Sequence, residues 1–198
     1  MHASEDLDQL YPEHVAKLQS RTGHALARID CGALAIGAGR AKYRFLDDRP
    51  DPFAVNPHFK AWVPILDAPG SFLICVPGRK PLLLFHQPED YWHKPPVLPD
   101  GRWMDQFEVK VLRDPGDARA HIPPRTAYVG EPFDGADDWG FSVSNPRALL
   151  DDLHFARAAK TPYELACLRE ASRLGARAHR AAHRPGRPSP NRGRSAAA

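Results

Sequence analysis

Two stretches of the 198-residue sequence gather residue types that bind ligands or do chemistry. Phe45-Leu46-Asp47-Asp48-Arg49-Pro50 sets paired carboxylates in a loop context, and Glu89-Asp90-Tyr91-Trp92-His93-Lys94-Pro95-Pro96 sets two large aromatics beside charges. Aromatic residues held out on loops supply contact area for a ligand or partner. A plainer role fits equally well, with the carboxylates forming local turns and Tyr91 and Trp92 capping a sheet edge. Spacing alone does not separate the two.

Other candidates fail on their chemistry. Gly37-Ala38-Gly39-Arg40-Ala41-Lys42 follows a strand-like run, but a Walker loop needs G-x-x-x-x-G-K-[ST] and a dinucleotide fingerprint needs a third glycine opening a helix. His179 and His183 lie at i, i+4, where a metalloprotease would read H-E-x-x-H; here Arg180 takes the glutamate's place, and no carboxylate follows Glu170. Asp134-Gly135-Ala136-Asp137-Asp138 lacks the order and the bidentate glutamate of a calcium loop, and reads as a turn with charged tips. Ser142 and Ser144 have no G-x-S-x-G context. The arginines from Arg173 onward could meet phosphates, but no aromatics for base stacking and no nucleic-acid module accompany them, so they read as a solvated helix end and tail.

The elements that must position the two clusters are legible as an alternation of helix and strand. Val15, Leu18, Leu26 and Ile29, with Pro12 at a tolerated first-turn position, predict a helix over 11–28. Apolar runs at Ala33–Ile36, Ala61–Leu66, Ser71–Val76, Pro81–Phe85, Phe107–Leu112 and Thr126–Val129 have strand length, giving about six strands. The breaks at Asp67-Ala68-Pro69-Gly70 and Pro77-Gly78-Arg79-Lys80 suit hairpin-like, antiparallel neighbours. Two helices close the chain, over Pro146–Ala159 and after the capping box Thr161-Pro162-Tyr163-Glu164, the second running through Leu165, Leu168, Ser172 and Ala176. The expected class is α/β: a mixed sheet of about six strands flanked by helices.

Composition agrees with a packed core: 42% of residues are hydrophobic, and no window approaches the roughly 18 apolar residues of a membrane span. The N-terminus lacks the layout of a secretory signal peptide, and three scattered cysteines imply neither a disulfide framework nor zinc, so a reduced cytoplasmic setting is expected. Twenty-one prolines forecast many loop entries and abrupt helix starts. From Pro185 the composition shifts to Pro, Gly, Ser, Arg and Ala, and disorder is expected there.

Three blocks around the two clusters carry a resemblance: Phe45-Leu46-Asp47-Asp48, then Pro52-Phe53-Ala54-Val55-Asn56-Pro57-His58-Phe59-Lys60-Ala61-Trp62-Val63-Pro64, then Asp90-Tyr91-Trp92-His93-Lys94. They resemble the N-terminal domain of bacterial Xaa-Pro dipeptidases (prolidases), a group that includes the organophosphorus acid anhydrolases. Further on, Arg157, Lys160, Thr161 and Glu164 through Ala171 resemble the junction helix that opens the catalytic domain of pita-bread metallopeptidases. The resemblance runs from about Leu7 to His183.

It implies a creatinase/prolidase-type N-terminal domain over 1–158, the junction helix over 159–184, and a departing Arg/Pro-rich tail over 185–198. It also implies a catalytic domain with two divalent metals, usually manganese, held by carboxylates and a histidine; after Arg184 no Asp, Glu or His follows to supply them. The chain is therefore expected to be a truncated dipeptidase, inactive alone and binding no metal itself. Its partner would be a second copy or a full-length prolidase, with loops reaching the partner's active site. By position in the family, Asp48 and Trp92 would line the substrate pocket across the dimer. Trp92 would stack on an apolar or proline ring, and Asp48 would restrict the small end of the pocket or meet the dipeptide's ammonium group. The alternative is a stand-alone dimerisation or regulatory module that forms mixed dimers with the full-length enzyme. Neither membrane nor nucleic acid is an expected partner. The formal charge of +3 is assembled at the end of the chain: residues 171–198 hold seven arginines and no carboxylate, leaving 20 basic against 24 acidic groups before them.

Overall fold

The computed structural model describes residues 2–89, 91, 96–98 and 100–183. Helix α1 spans His2–Arg28 and strand β1 Ala33–Gly37; a short helix α2, Pro57–Trp62, precedes β2, Phe72–Cys75, and β3, Leu82–His86. Then come β4, Glu108–Leu112, β5, Thr126–Val129, β6, Val143–Ser144, and helices α3, Arg147–Ala158, and α4, Pro162–Ala182. Three 3₁₀ segments, Arg102–Gln106, Pro115–His121 and Ala136–Trp139, punctuate the second half.

The six strands among the described residues form one sheet in the order β4-β3-β2-β1-β5-β6. β2 pairs antiparallel with both β1 and β3, while β3 with β4, β1 with β5, and β5 with β6 pair parallel. The sheet is therefore mixed, as the alternation of elements predicts. Both its faces are covered, which is why the central strands read as continuous apolar runs. Leu34, Ile36, Leu73, Cys75, Leu83, Phe85, Ala127 and Val129 face a core completed by Tyr11, Val15, Leu18 and Leu26 of α1, Phe59 and Trp62 of α2, and Leu149 and Leu153 of α3. Their alternates Ala35, Phe72, Ile74, Leu84, Leu112 and Tyr128 face a second cluster closed by Ala118, Phe133, Trp139 and Phe141.

Three elements differ from the sequence reading. The run Ala61–Leu66 is no strand: α2 occupies its start, because Asn56 accepts the His58 backbone N–H on its side-chain oxygen (2.9 Å) and Pro57 supplies a pre-set first helical residue. The sixth strand is instead Val143–Ser144, two residues held against Ala127 and Tyr128. Helix α1 also begins about two and a half turns before the predicted start, with the exposed Pro12 inside it. Burial of Tyr11 against the Tyr163 and Phe107 rings outweighs the missing N–H of that proline.

One glycine has a steric role. A Cβ on Gly130 would come within 2.7 Å of the Tyr128 Cζ, and Tyr128 cannot retreat because its ring stacks on Phe141 and its hydroxyl donates to the Glu131 carbonyl (2.8 Å). Gly130→Ala is expected to cost about 1–3 kcal/mol, read as a lower urea midpoint at unchanged m-value.

Candidate functional site

Asp48 sits on an arm that leaves the C-terminal end of β1. Gly39 turns the chain at a φ of +108°, and Asn56 closes the arm's base: its N–H donates to the Ala38 carbonyl (2.8 Å) and its side-chain amide to the Gly37 carbonyl (2.9 Å). Halfway out, Asp51 N–H donates to the Lys42 carbonyl (2.8 Å) and Tyr43 bridges Pro50. At the tip Asp47 N–H donates to the Arg44 carbonyl (3.1 Å), Leu46 holds φ +60°, and the Asp47 carboxylate accepts the Arg49 N–H (3.0 Å). Ion pairs Arg44–Asp51 (2.6 Å) and Lys42–Glu131 (2.7 Å) flank the arm, but exposed pairs are worth at most about 1 kcal/mol each, so backbone bonds set its shape.

The two carboxylates of the cluster therefore part company. Asp47 forms the local turn, while Asp48 is held out on an arm in which every residue from 41 to 50 is exposed. Phe45 and Leu46, 92% and 91% exposed, stand two or three residues before it. An apolar pair beside a carboxylate, on a hydrogen-bonded stalk, is suited to binding rather than to supporting this domain's own core.

Trp92 lies outside the described residues, as do Asp90, His93, Lys94 and Pro95. The ends of its segment are placed. Gln87 N–H donates to the Leu112 carbonyl (2.8 Å), the Gln87 side chain donates to the Pro96 carbonyl (2.7 Å), and Glu89 pairs with Arg113 (3.0 Å). Because β2 is antiparallel to both its neighbours, β1 and β3 run the same way, and their outgoing chains leave the same end of the sheet. Only β2 lies between them, a separation of roughly 10 Å.

Buried Ser71 ties those two exits together: its carbonyl accepts the Ala38 N–H (2.9 Å) and its hydroxyl accepts the His86 N–H (2.9 Å). Beside it Gly70, at φ +77°, donates its N–H to the Gly39 carbonyl (2.8 Å), and a Cβ there would come within 2.7 Å of the His86 Nδ1. The sequence pattern at 67–70 suits a hairpin-like break and does not mark this knot. Gly70-Ser71 at the head of an apolar run was the available signal.

Two histidines outside the expected set are buried. His14 of α1 joins its Nδ1 to the Thr161 hydroxyl (2.8 Å), and its Nε2 donates to the Ala61 carbonyl (2.8 Å). Burial lowers its pKa, the bond to Ala61 and the Glu164 carboxylate oppose this, and Arg21 adds to it. His58, 8% exposed, stacks on His154 with ring centroids 5.0 Å apart, and its Nε2 has no hydrogen-bond partner. Burial, then the Arg157 and His154 charges, push it down to about 4. The sequence signal for His14 was its place on the stripe of Tyr11, Val15 and Leu18; for His58 it was adjacency to Phe59 at a capped helix start.

Among the described residues no group of three or more His, Cys, Asp or Glu could hold a metal ion, and His179 in the last turn of α4 and His183 at its C-cap stand exposed. These residues do not fit the dinuclear centre that the resemblance implies. No described helix is long and apolar enough to cross a membrane.

A mixed, doubly covered six-stranded sheet, with the Asp48 arm leaving the same end as the chain that follows β3, makes this an α/β domain. The family described as Xaa-Pro dipeptidase, N-terminal domain, matches residues 9–155, and the chain belongs to that family. Among its curated relatives, a Xaa-Pro dipeptidase of Pseudoalteromonas atlantica is 44% identical over 181 residues, which cover 90% of this chain and 41% of the relative. Those of Shewanella loihica (44% identical over 181 residues; 90% and 41%) and Xanthomonas axonopodis pv. citri (43% over 179 residues; 89% and 40%) match in the same way. The chain thus spans about 41% of the length of such relatives.

Proposed function

We propose that the chain acts as the non-catalytic N-terminal domain of a Xaa-Pro dipeptidase, pairing with a second copy and closing the substrate pocket over a dipeptide. The observation that carries this reading is the match itself, which covers nine-tenths of this chain and therefore extends into α4, while more than half of each relative lies beyond it. The metal ligands, and the two manganese ions they would hold, belong on this reading to that remaining part. Substrate contact falls to Trp92, stacking on an apolar or proline ring, and to Asp48, restricting the small end of the pocket or meeting the dipeptide's ammonium group. The described cysteines are free, in keeping with a reducing cytoplasmic setting.

Helix α4 supports the reading through its two apolar faces. Tyr163 turns inward onto Tyr11 and His14 of α1, with ring centroids 5.0 and 4.9 Å away. Leu165, Leu168, Ser172 and Ala176, at helical spacing along another side, are the face the sequence pattern marks for burial. Yet Leu165 is 41% and Leu168 51% exposed. A second packed layer would cover them, with Ser172, Gly175 and Ala176 allowing close approach.

The purified chain with added manganese is expected to release no product from Gly-Pro or Ala-Pro. Measurable turnover by the pure chain would overturn the assignment. A stand-alone regulatory role instead predicts that the chain co-purifies with a full-length Xaa-Pro dipeptidase and changes its rate.

A further inference from the structure

The last carbonyls of a helix have no partner within it, and a six-residue helix such as α2 leaves most of its carbonyls in that state. Two of them are taken by α1: Tyr11 donates its hydroxyl to the Trp62 carbonyl, and His14 Nε2 donates to the Ala61 carbonyl. The second ring nitrogen of His14 then reaches the other way, to the hydroxyl of Thr161, the N-cap of α4. Since Nε2 faces a carbonyl it must carry the proton, so Nδ1 accepts the Thr161 O–H. The same oxygen accepts the Glu164 N–H (3.2 Å), and the Glu164 carboxylate accepts the Thr161 N–H (2.8 Å). Every polar atom at this buried meeting point is satisfied by one arrangement of hydrogens.

We infer that His14 is the joint that fixes α4 to α2, and through α2 to the base of the Asp48 arm. The physical line is short. Asn56 closes the arm and caps α2; α2 is six residues long; Ala61 at its far end bonds His14; and His14 bonds the residue that starts α4. Few other ties compete with it on this side. Arg21 reaches the Ala159 carbonyl (3.0 Å) just before the cap, and Tyr163 packs its ring on those of Tyr11 and His14. His14 is a positioning residue: it touches no substrate, and sets the direction in which α4 leaves the domain relative to the arm. The joint's geometry stands by itself; its consequence for pocket closure rests on the function proposed above.

Hydrogen exchange on the full chain, read by mass spectrometry, tests the joint without any activity assay. His14→Ala is expected to speed exchange at least tenfold in 162–170 and also in 57–63, leaving β1 and β2 unchanged. Unaltered exchange in either segment, or a rise of the same size in β1 and β2, would overturn the inference. Should His14→Ala not fold, Thr161→Val carries the test. A lost cap alone would loosen α4 only, whereas a broken joint also loosens 57–63 by the same roughly tenfold factor. Thr161→Ser, which keeps the hydroxyl, is expected to exchange as the parent does in both segments; if it loosens them as Thr161→Val does, the hydroxyl bond is not what holds the joint. Loosening confined to 162–170 in Thr161→Val contradicts the inference.

Discussion

Asp48→Ala and Trp92→Ala, each introduced into a fusion of residues 1–183 with the remaining part of the Pseudoalteromonas atlantica relative, are expected to lower kcat/KM for Gly-Pro by about 30-fold each. The size follows from truncating a contact that only the closed pocket makes, worth about 2 kcal/mol at a well-packed aromatic or a desolvated charge. The structural basis is unequal for the two. Asp48 is placed, on an arm whose backbone bonds leave it exposed beside Phe45 and Leu46. Trp92 lies outside the described residues; Gln87 and Pro96 on either side of it are bonded to each other, and β3 before it ends at the same end of the sheet as β1 before the arm. Asp48→Asn separates the two roles open to that residue. If its charge meets the dipeptide's ammonium group, Asn loses as much as Ala, and an N-acetylated substrate shows no loss. If it only restricts the pocket, Asn behaves as the parent. Unchanged kcat/KM in both alanine variants, in a folded and active fusion, would remove both residues from the pocket.

Acidification is expected to weaken the fold by about 3 kcal/mol between pH 6.5 and 4 through His58 alone. The sign is set by which state binds the proton. In the unfolded chain His58 titrates near 6.5, whereas in the folded chain burial, Arg157 and His154 hold it neutral down to about 4. Within that window the unfolded state binds more protons, so stability is full above pH 6.5 and is lost as pH falls. His14, also lowered by burial, adds in the same direction. Carboxylates titrate in part of this range too, so the measurement is a comparison. Urea midpoints at pH 7.5 and 4.5 for the parent and for His58→Leu should show the pH-dependent loss shrinking by about 2–3 kcal/mol in the variant. The substitution suits the site because the His58 Nε2 has no hydrogen-bond partner to forfeit. An identical pH dependence in both proteins would show that His58 is not held neutral.

What could be read from the sequence follows from where the signals are local. The capping box at Thr161–Glu164 is an exchange of bonds between residues three apart, and it forms as written. The buried strands declare themselves as short apolar runs between proline and glycine breaks. Parallel against antiparallel pairing does not: β4 follows β3 in sequence and pairs with it parallel, and no local pattern in either strand announces that. Ala61–Leu66 misleads because it joins the last two residues of a helix, whose start is signalled by Asn56-Pro57, to the apolar residues of the loop that follows. Val143–Ser144 is too short for any periodicity.

The site divides similarly. Asp47 and Asp48 look equivalent in sequence, and only the turn at Arg44–Arg49 shows that one is consumed locally and the other presented. Ser71 and His14 carry no motif, since their roles depend on partners between 15 and 147 residues away. Resemblance supplied the family and the proposal that Asp48 and Trp92 line a pocket. The topology shows that β1 and β3, which precede them in the chain, end at one end of the sheet on either side of β2.

The most direct test of the central claim is the dipeptidase activity, with manganese, of the chain alone and of the fusion carrying the remaining part of the Pseudoalteromonas atlantica relative. The account predicts no turnover by the chain and Xaa-Pro cleavage by the fusion, at a rate within about tenfold of the relative's own. A folded fusion that cleaves no Xaa-Pro dipeptide, or a chain that cleaves one unaided, would contradict it.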